Sequence, residues 1–248
     1  MKVFIATHKK SEFPSNCLYE PIQVGAALHD DLGYSRDDQG EHISDKNPNY
    51  CELTALYYIW KNRKEDYVGL VHYRRYFFTR MLLNASLQSN AMLDDVKCRK
   101  LMEQFDIILP QKYYLNGQTM KQQYESLHSL EDLMKCREII AEKFPDYVEA
   151  FDAVMEFKSI YTYNMFVTSW ELFSDYCSWL FAVLFTLEKR IDISNYDAYN
   201  QRIFGFLSER LFNVWIEKKH LNIKELPVYM LGDTATTNLK KNVRELLK

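Results

Sequence analysis

Tyr67-Val68-Gly69-Leu70-Val71-His72-Tyr73-Arg74-Arg75-Tyr76-Phe77 changes character at His72. Up to Val71 it is a short apolar run, of the kind that forms a strand buried on both faces. From His72 on it delivers an imidazole, two guanidiniums and the phenols of Tyr73 and Tyr76. In open α/β sheets, ligands bind in the crevice outside the carboxyl ends of the strands. A guanidinium fork matches phosphate oxygens in bidentate geometry. The stretch therefore predicts an α/β sheet with an anion-binding site at one strand end. The competing reading is a set of surface arginines paired with nearby acids.

The N-terminus repeats the pattern. Residues 2–6, Lys-Val-Phe-Ile-Ala, read as a buried strand, with the polar, basic Thr7-His8-Lys9-Lys10 at its carboxyl end. Residues 105–110 read as a third strand stopped by Pro110. Helical spacing of apolar residues predicts helices over 51–63, 91–104, 170–189 and 196–219. It also predicts a mostly helical stretch over 118–157, broken at Pro145. Further strands are expected at 163–168 and 226–230, and a small amphipathic helix over 238–248. Residues 11–50, rich in turn formers, read as a long irregular segment. Strands alternating with helices predict a mainly parallel sheet. With no internal repeat or low-complexity linker, 1–248 is expected to be one domain with a helical insertion at about 118–160.

Composition narrows the class. Hydrophobic residues make up 47% and charged residues 26%, the balance of a globular protein rather than a disordered one. The net charge of -3 gives no global basic field, so nucleic acid is not an expected partner. Five cysteines without CxxC spacing argue against a zinc site or a disulfide framework and read as free thiols of a reducing cytosol. The apolar start is too short for a signal peptide. The most apolar segment, Trp179 to Leu187, falls short of the roughly 20 residues that span a bilayer. A cytoplasmic location follows, with peripheral contact at the inner membrane face left open. The tail places Lys240, Lys241, Arg244 and Lys248 beside Leu239, Val243, Leu246 and Leu247, which fits either a weak interfacial helix or one packed on the domain.

Many nucleotide-sugar transferases carry an Asp-x-Asp metal motif at such a strand end. Here that place holds His72-Tyr73-Arg74-Arg75, while Asp30-Asp31 and Asp94-Asp95 follow no clear buried strand. No catalytic metal and no cofactor are expected, with the cations of this motif balancing charge instead. Arg202 and Glu209 are seven residues apart and share a helix face. Glu209 and Asp197 are the candidate general bases. A mid-helix Glu209 beside apolar neighbours would have a raised pKa, whereas Asp197 near a helix N-terminus would stay acidic. The alternative for Glu209 and Arg210 is a solvated or structural ion pair. His128 is a candidate for touching a sugar hydroxyl, or else a capping residue. The chain has no GxGxxG, Walker loop or GxSxG, which disfavours dinucleotide oxidoreductases, P-loop enzymes and serine hydrolases.

Several long motifs together resemble one family. They are Ala6-Thr7-His8-Lys9-Lys10, Pro21-Ile22-Gln23-Val24-Gly25-Ala26, Asn47-Pro48-Asn49-Tyr50-Cys51-Glu52-Leu53-Thr54 and Gly69 to Phe77. Tyr163-Asn164-Met165-Phe166, Tyr176 to Phe181 and Gly205 to Leu211 continue the match over nearly the whole chain. The family is a once-uncharacterised bacterial domain of capsule, exopolysaccharide and O-antigen gene clusters. The resemblance implies a glycosyltransferase on a GT-A-like nucleotide-binding fold, with some members similar to metal-independent, inverting galactofuranosyltransferases that use UDP-galactofuranose. It maps the donor side onto Thr7, His8, Lys9, Gln23, His72, Arg74 and Arg75, with Tyr73 between them. His128 and Asn164 stand as acceptor-side candidates. The partners expected are a UDP-sugar donor and a lipid-linked glycan acceptor. Two rival functions are a non-catalytic glycan-binding or scaffold subunit and a nucleotide-sugar hydrolase.

Overall fold

Apolar residues on both faces make β1 an inner strand of the sheet. Val3 and Ile5 enter one hydrophobic cluster, Phe4 and Ala6 the other. The computed structural model describes residues 1–82 and 85–230, so the expected 238–248 helix lies outside the described residues. In chain order the strands are β1 (Lys2–Thr7), β2 (Tyr19–Gln23), β3 (Ser35–Arg36), β4 (Tyr67–His72), β5 (Arg75–Phe77), β6 (Ile107–Pro110), β7 (Tyr113–Tyr114), β8 (Ser159–Ile160), β9 (Phe166–Ser169), β10 (Ile223–Leu226) and β11 (Val228–Met230). The helices are α1 (Asn47–Tyr50), α2 (Leu53–Asn62), α3 (Asp95–Met102), α4 (Met120–Glu125), α5 (Leu130–Lys143), α6 (Val148–Met155), α7 (Trp170–Glu188) and α8 (Ile203–Lys219). No helix among the described residues is long and apolar enough to cross a membrane.

The main sheet runs β10-β6-β9-β4-β1-β2-β3, with β5 on β4 and β11 on β5. Its β4-β1-β2-β3 half and its β6-β10 pair are parallel. Helices α2, α7 and α8 cover one face, and α3 covers the other through Cys98 and Met102. The sheet is mainly parallel, as expected, but β9 runs antiparallel to both β4 and β6. Gly69 permits this close join: a Cβ there would lie 2.7 Å from the Phe166 carbonyl oxygen and 2.9 Å from Val167 Cγ2. Because β9 is reversed, its entry loop at 163–165 lies beside the carboxyl end of β4, where the site forms.

Several expected boundaries move. The segment 11–50 is not wholly irregular, since it contains β2, which pairs with β1 along its length. The helix expected from 196 begins at Ile203, after a single 3-10 turn. There the Asp197 carboxylate accepts the Asn200 N–H at 2.7 Å and caps that turn. The helix expected over 91–104 shrinks to α3, because Asp94 caps it by accepting from Lys97 N. The helices α4 to α6 leave and rejoin through the antiparallel β7–β8 pair. Pro145 falls in the 3-10 turn between α5 and α6.

Candidate functional site

Strand order brings three carboxyl ends together. Ala6 pairs with His72, and Thr7 with Gln23. Chain reversal does the rest: His72 pairs with Arg75 across the turn Tyr73-Arg74, so β4 and β5 form a tight hairpin at the sheet edge. His8, His72, Tyr73, Arg74 and Arg75 all line one cleft of about 810 Å³. Across from these strand ends the cleft is closed by Asn47, Cys51, Glu52, Tyr163, Tyr199, Arg202, Phe206 and Glu209. Lys9 and the Arg74 guanidinium each sit over the Tyr73 ring, at 5.1 and 5.0 Å, and His8 meets its edge. Burial, with Lys9 and Arg74 alongside, holds the His8 imidazole below its usual pKa. Among the described residues, Arg74, Arg75 and Arg202 form no ion pair with a carboxylate, and Arg75 Nε is buried without a hydrogen-bond partner. Cations gathered in a cleft without direct ion-pair partners form a seat for an anion, even with Glu52 and Glu209 on the opposite wall.

The floor is a strained dipeptide. Tyr163 (φ 78°) and Asn164 (φ 50°) are both left-handed, a costly state for a tyrosine. Side chains from distant parts of the chain hold them. The Tyr163 N–H donates to Glu209 at 2.8 Å, and the Tyr163 carbonyl lies 2.6 Å from His72 Nε2. A carbonyl can only accept, so His72 carries its proton on Nε2. The buried Asn164 amide donates to Glu52 at 2.8 Å and to Ser208 at 2.9 Å. The Arg75 guanidinium lies 4.5 Å from the Tyr163 ring centre. Cys51, also on the cleft, is left-handed as well (φ 53°), so three of the five such non-glycine residues among those described gather here. Clustered backbone strain of this kind marks functional sites.

Glu209 is the carboxylate of the floor. Burial raises its pKa above the ordinary carboxylate value, against the opposing pull of Arg210 and of the Tyr163 N–H. The Arg210 guanidinium is 3.2 Å from its second oxygen and is itself held by Gln123 and the Phe206 carbonyl. The pair expected as an alternative is therefore present, yet 23% of the Glu209 side chain still faces the cleft.

The remaining sequence candidates fall elsewhere. Thr7 and Gln23 are buried and shape loops. Thr7 Oγ1 donates to the Lys9 carbonyl, and the Gln23 amide bonds the backbone of Asp30 and Leu32. Asp197 is exposed, caps Asn200 and does not line the cleft. His128 sits behind the cleft wall, stacked on Phe206 at 4.2 Å and bonded to Asn200, and burial lowers its pKa. Glu52, Cys51, Tyr163 and Tyr199 line the cleft without having been singled out. Glu52 and Tyr163 stood inside quoted motifs, but nothing in their spacing marked them. The paired acids are committed elsewhere: Asp94 caps α3, and Asp31 accepts from Gly33 N. Among the described residues no three His, Cys, Asp or Glu side chains group in a way that could hold a metal ion.

A mainly parallel sheet with a reversed strand, helices on both faces and a polar cleft at the carboxyl ends defines a GT-A-like α/β protein. The chain belongs to the family described as a domain of unknown function, DUF4422, which matches residues 2–220. It is also similar to the apo structure of WbbM, a bifunctional glycosyltransferase, with 32% identity and a TM-score of 0.86. That similarity covers 94% of this chain and 45% of the other, so the chain spans less than half the length of WbbM. No curated protein matches it in sequence.

Proposed function

We propose that the chain is an inverting glycosyltransferase that moves a sugar, galactofuranose, from a UDP-sugar to a growing bacterial surface polysaccharide. The observation that carries this reading is the cleft itself: an unpaired cationic hairpin and a partly buried carboxylate meet at one strained dipeptide, in a chain 32% identical to a glycosyltransferase. Arg74 and Arg75, with Lys9 and His8 near them, face the diphosphate. Glu209 takes the proton of the acceptor hydroxyl as that oxygen bonds to the anomeric carbon. The bond from that carbon to the β-phosphate oxygen breaks, its electron pair stays on the diphosphate, and the guanidiniums stabilise the growing charge. Attack from the side opposite the leaving group inverts the anomeric centre. The reaction runs without a divalent metal. The acceptor is a lipid-linked glycan, which puts the chemistry at a membrane face.

The test is a thermal-shift screen of nucleotide sugars, since a ligand that binds only the folded state raises its stability. Product analysis with and without acceptor then follows. A UDP-sugar should stabilise the protein, and UDP should appear together with a glycosylated acceptor. UDP release indifferent to acceptor would make the protein a hydrolase. Glycan binding without nucleotide binding would make it a non-catalytic subunit.

A further inference from the structure

The donor chemistry leaves the helical wall of the cleft unused. Tyr199 lines that wall with 51% of its surface exposed. Its ring lies 4.9 Å from Phe206 and 5.7 Å from His128, nearly parallel to the latter at 16°. His128 in turn stacks on Phe206 and is anchored through Nδ1 to Asn200 at 3.0 Å. The Tyr199 ring is thus outermost in a braced aromatic stack. Beside it, Arg202 lies over Phe206 at 5.4 Å and points Nε at Cys51 Sγ, 3.3 Å away. The contrast with Tyr73 is informative: the Tyr73 ring is already covered by Lys9 and Arg74.

A fixed, half-exposed phenol ring in a cleft suits the apolar C–H face of a sugar, and an adjacent guanidinium suits its hydroxyl rim. Position selects which sugar. Phe206 and Glu209 are three residues apart on α8 and share its cleft-facing side. The platform is therefore about one helical turn from the carboxylate that receives the acceptor's proton, while the cations for the diphosphate stand on the β4–β5 turn.

We propose that Tyr199, backed by Phe206 and His128, is the stacking platform of an acceptor subsite for the terminal sugar of an oligosaccharide, with Arg202 donating to its hydroxyls. This rests on the transferase reading above for the choice of acceptor over donor. The test is ligand-observed saturation-transfer NMR with octyl glycosides of hexopyranoses and hexofuranoses. It compares the unaltered chain with Tyr199→Ala and Tyr199→Phe, and UDP thermal shifts are measured in parallel. The unaltered chain and Tyr199→Phe should saturate the sugar ring C–H protons. Tyr199→Ala should bind about three- to tenfold more weakly, with its UDP shift retained. Absence of glycoside binding, or equal binding by Tyr199→Ala, overturns the platform. So does loss of the UDP shift in Tyr199→Ala with glycoside binding intact, which would assign the ring to the nucleobase. Glycoside binding needs no turnover. A chain that binds glycosides through Tyr199 but no nucleotide sugar would keep the platform and overturn the transferase reading.

Discussion

His72 and Glu209 grip the same residue from its two backbone ends: His72 Nε2 lies 2.6 Å from the Tyr163 carbonyl, and Glu209 accepts the Tyr163 N–H at 2.8 Å. One comes from the end of β4 and the other from α8, 137 residues later. The peptide between them is left-handed, so the contacts hold in place a backbone that would otherwise relax. Through this one residue the cationic strand end and the carboxylate are set at a fixed separation.

That linkage shapes the prediction for Glu209. Glu209→Gln keeps the shape and can still accept from Tyr163, but it has no basic site. Transfer should fall by roughly 10²–10⁴ with UDP binding retained. The pH profile of the unaltered enzyme carries a sign. Only ionised Glu209 is a base, and its pKa is raised by burial. Activity should therefore be full above that raised pKa and fall as pH drops through it, an acid limb at higher pH than an ordinary glutamate would give. Asp197→Asn, at an exposed capping position, should leave this limb in place; a dead Asp197→Asn beside an active Glu209→Gln would exchange the two roles.

Arg74→Ala and Arg75→Ala each remove a cation without an ion-pair partner among the described residues. A lost charge-assisted contact costs about 1.5–3 kcal/mol. At least one variant should thus bind UDP about ten- to a hundredfold more weakly in calorimetry, with an unchanged circular dichroism spectrum. Wild-type affinity in both would move the donor site away from the β4–β5 hairpin.

Transfer should persist in excess EDTA. The motivating feature is the His72-Tyr73-Arg74-Arg75 turn standing where an acidic metal motif would be expected. Complete loss of activity, restored by Mn²⁺ or Mg²⁺, would reject metal independence.

Two substitutions test the frame beneath the site. Gly69→Ala forces a Cβ against the Phe166 carbonyl and Val167, and should cost about 1–3 kcal/mol in chemical denaturation. Asn164→Ala loses the bonds to Glu52 and Ser208 while keeping a left-handed backbone. Asn164→Gly loses the same bonds without that backbone penalty, and should be more stable than the alanine variant by roughly 1 kcal/mol. Equal stability of the two would remove strain from the account of the floor.

Much of this was legible in the chain itself. The apolar runs at 2–6 and 67–71 mark buried strands, because strands covered on both faces need unbroken hydrophobicity; that they are parallel neighbours is a fact of the fold. The abrupt polarity after each marks the edge where a ligand could bind. The seven-residue spacing put Arg202 and Glu209 on one side, and both do line the cleft, although Arg202 stands in the 3-10 turn before α8 and not in the helix itself. Tertiary structure alone decided the rest. The reversal of β9 leaves no periodic mark, since a strand reads the same in either direction. β2 was hidden because Tyr19-Glu20-Pro21-Ile22-Gln23 becomes a strand through its pairing with β1 and β3, which no local pattern marks. Glu52, Tyr163 and Tyr199 entered the cleft through contacts between residues far apart in sequence. Asp197 stays exposed before the 3-10 turn that precedes α8, where it caps Asn200 and does not line the cleft. Residue type and local period decide which elements form. Long-range packing decides which side chains share a space, and so where the chemistry can occur.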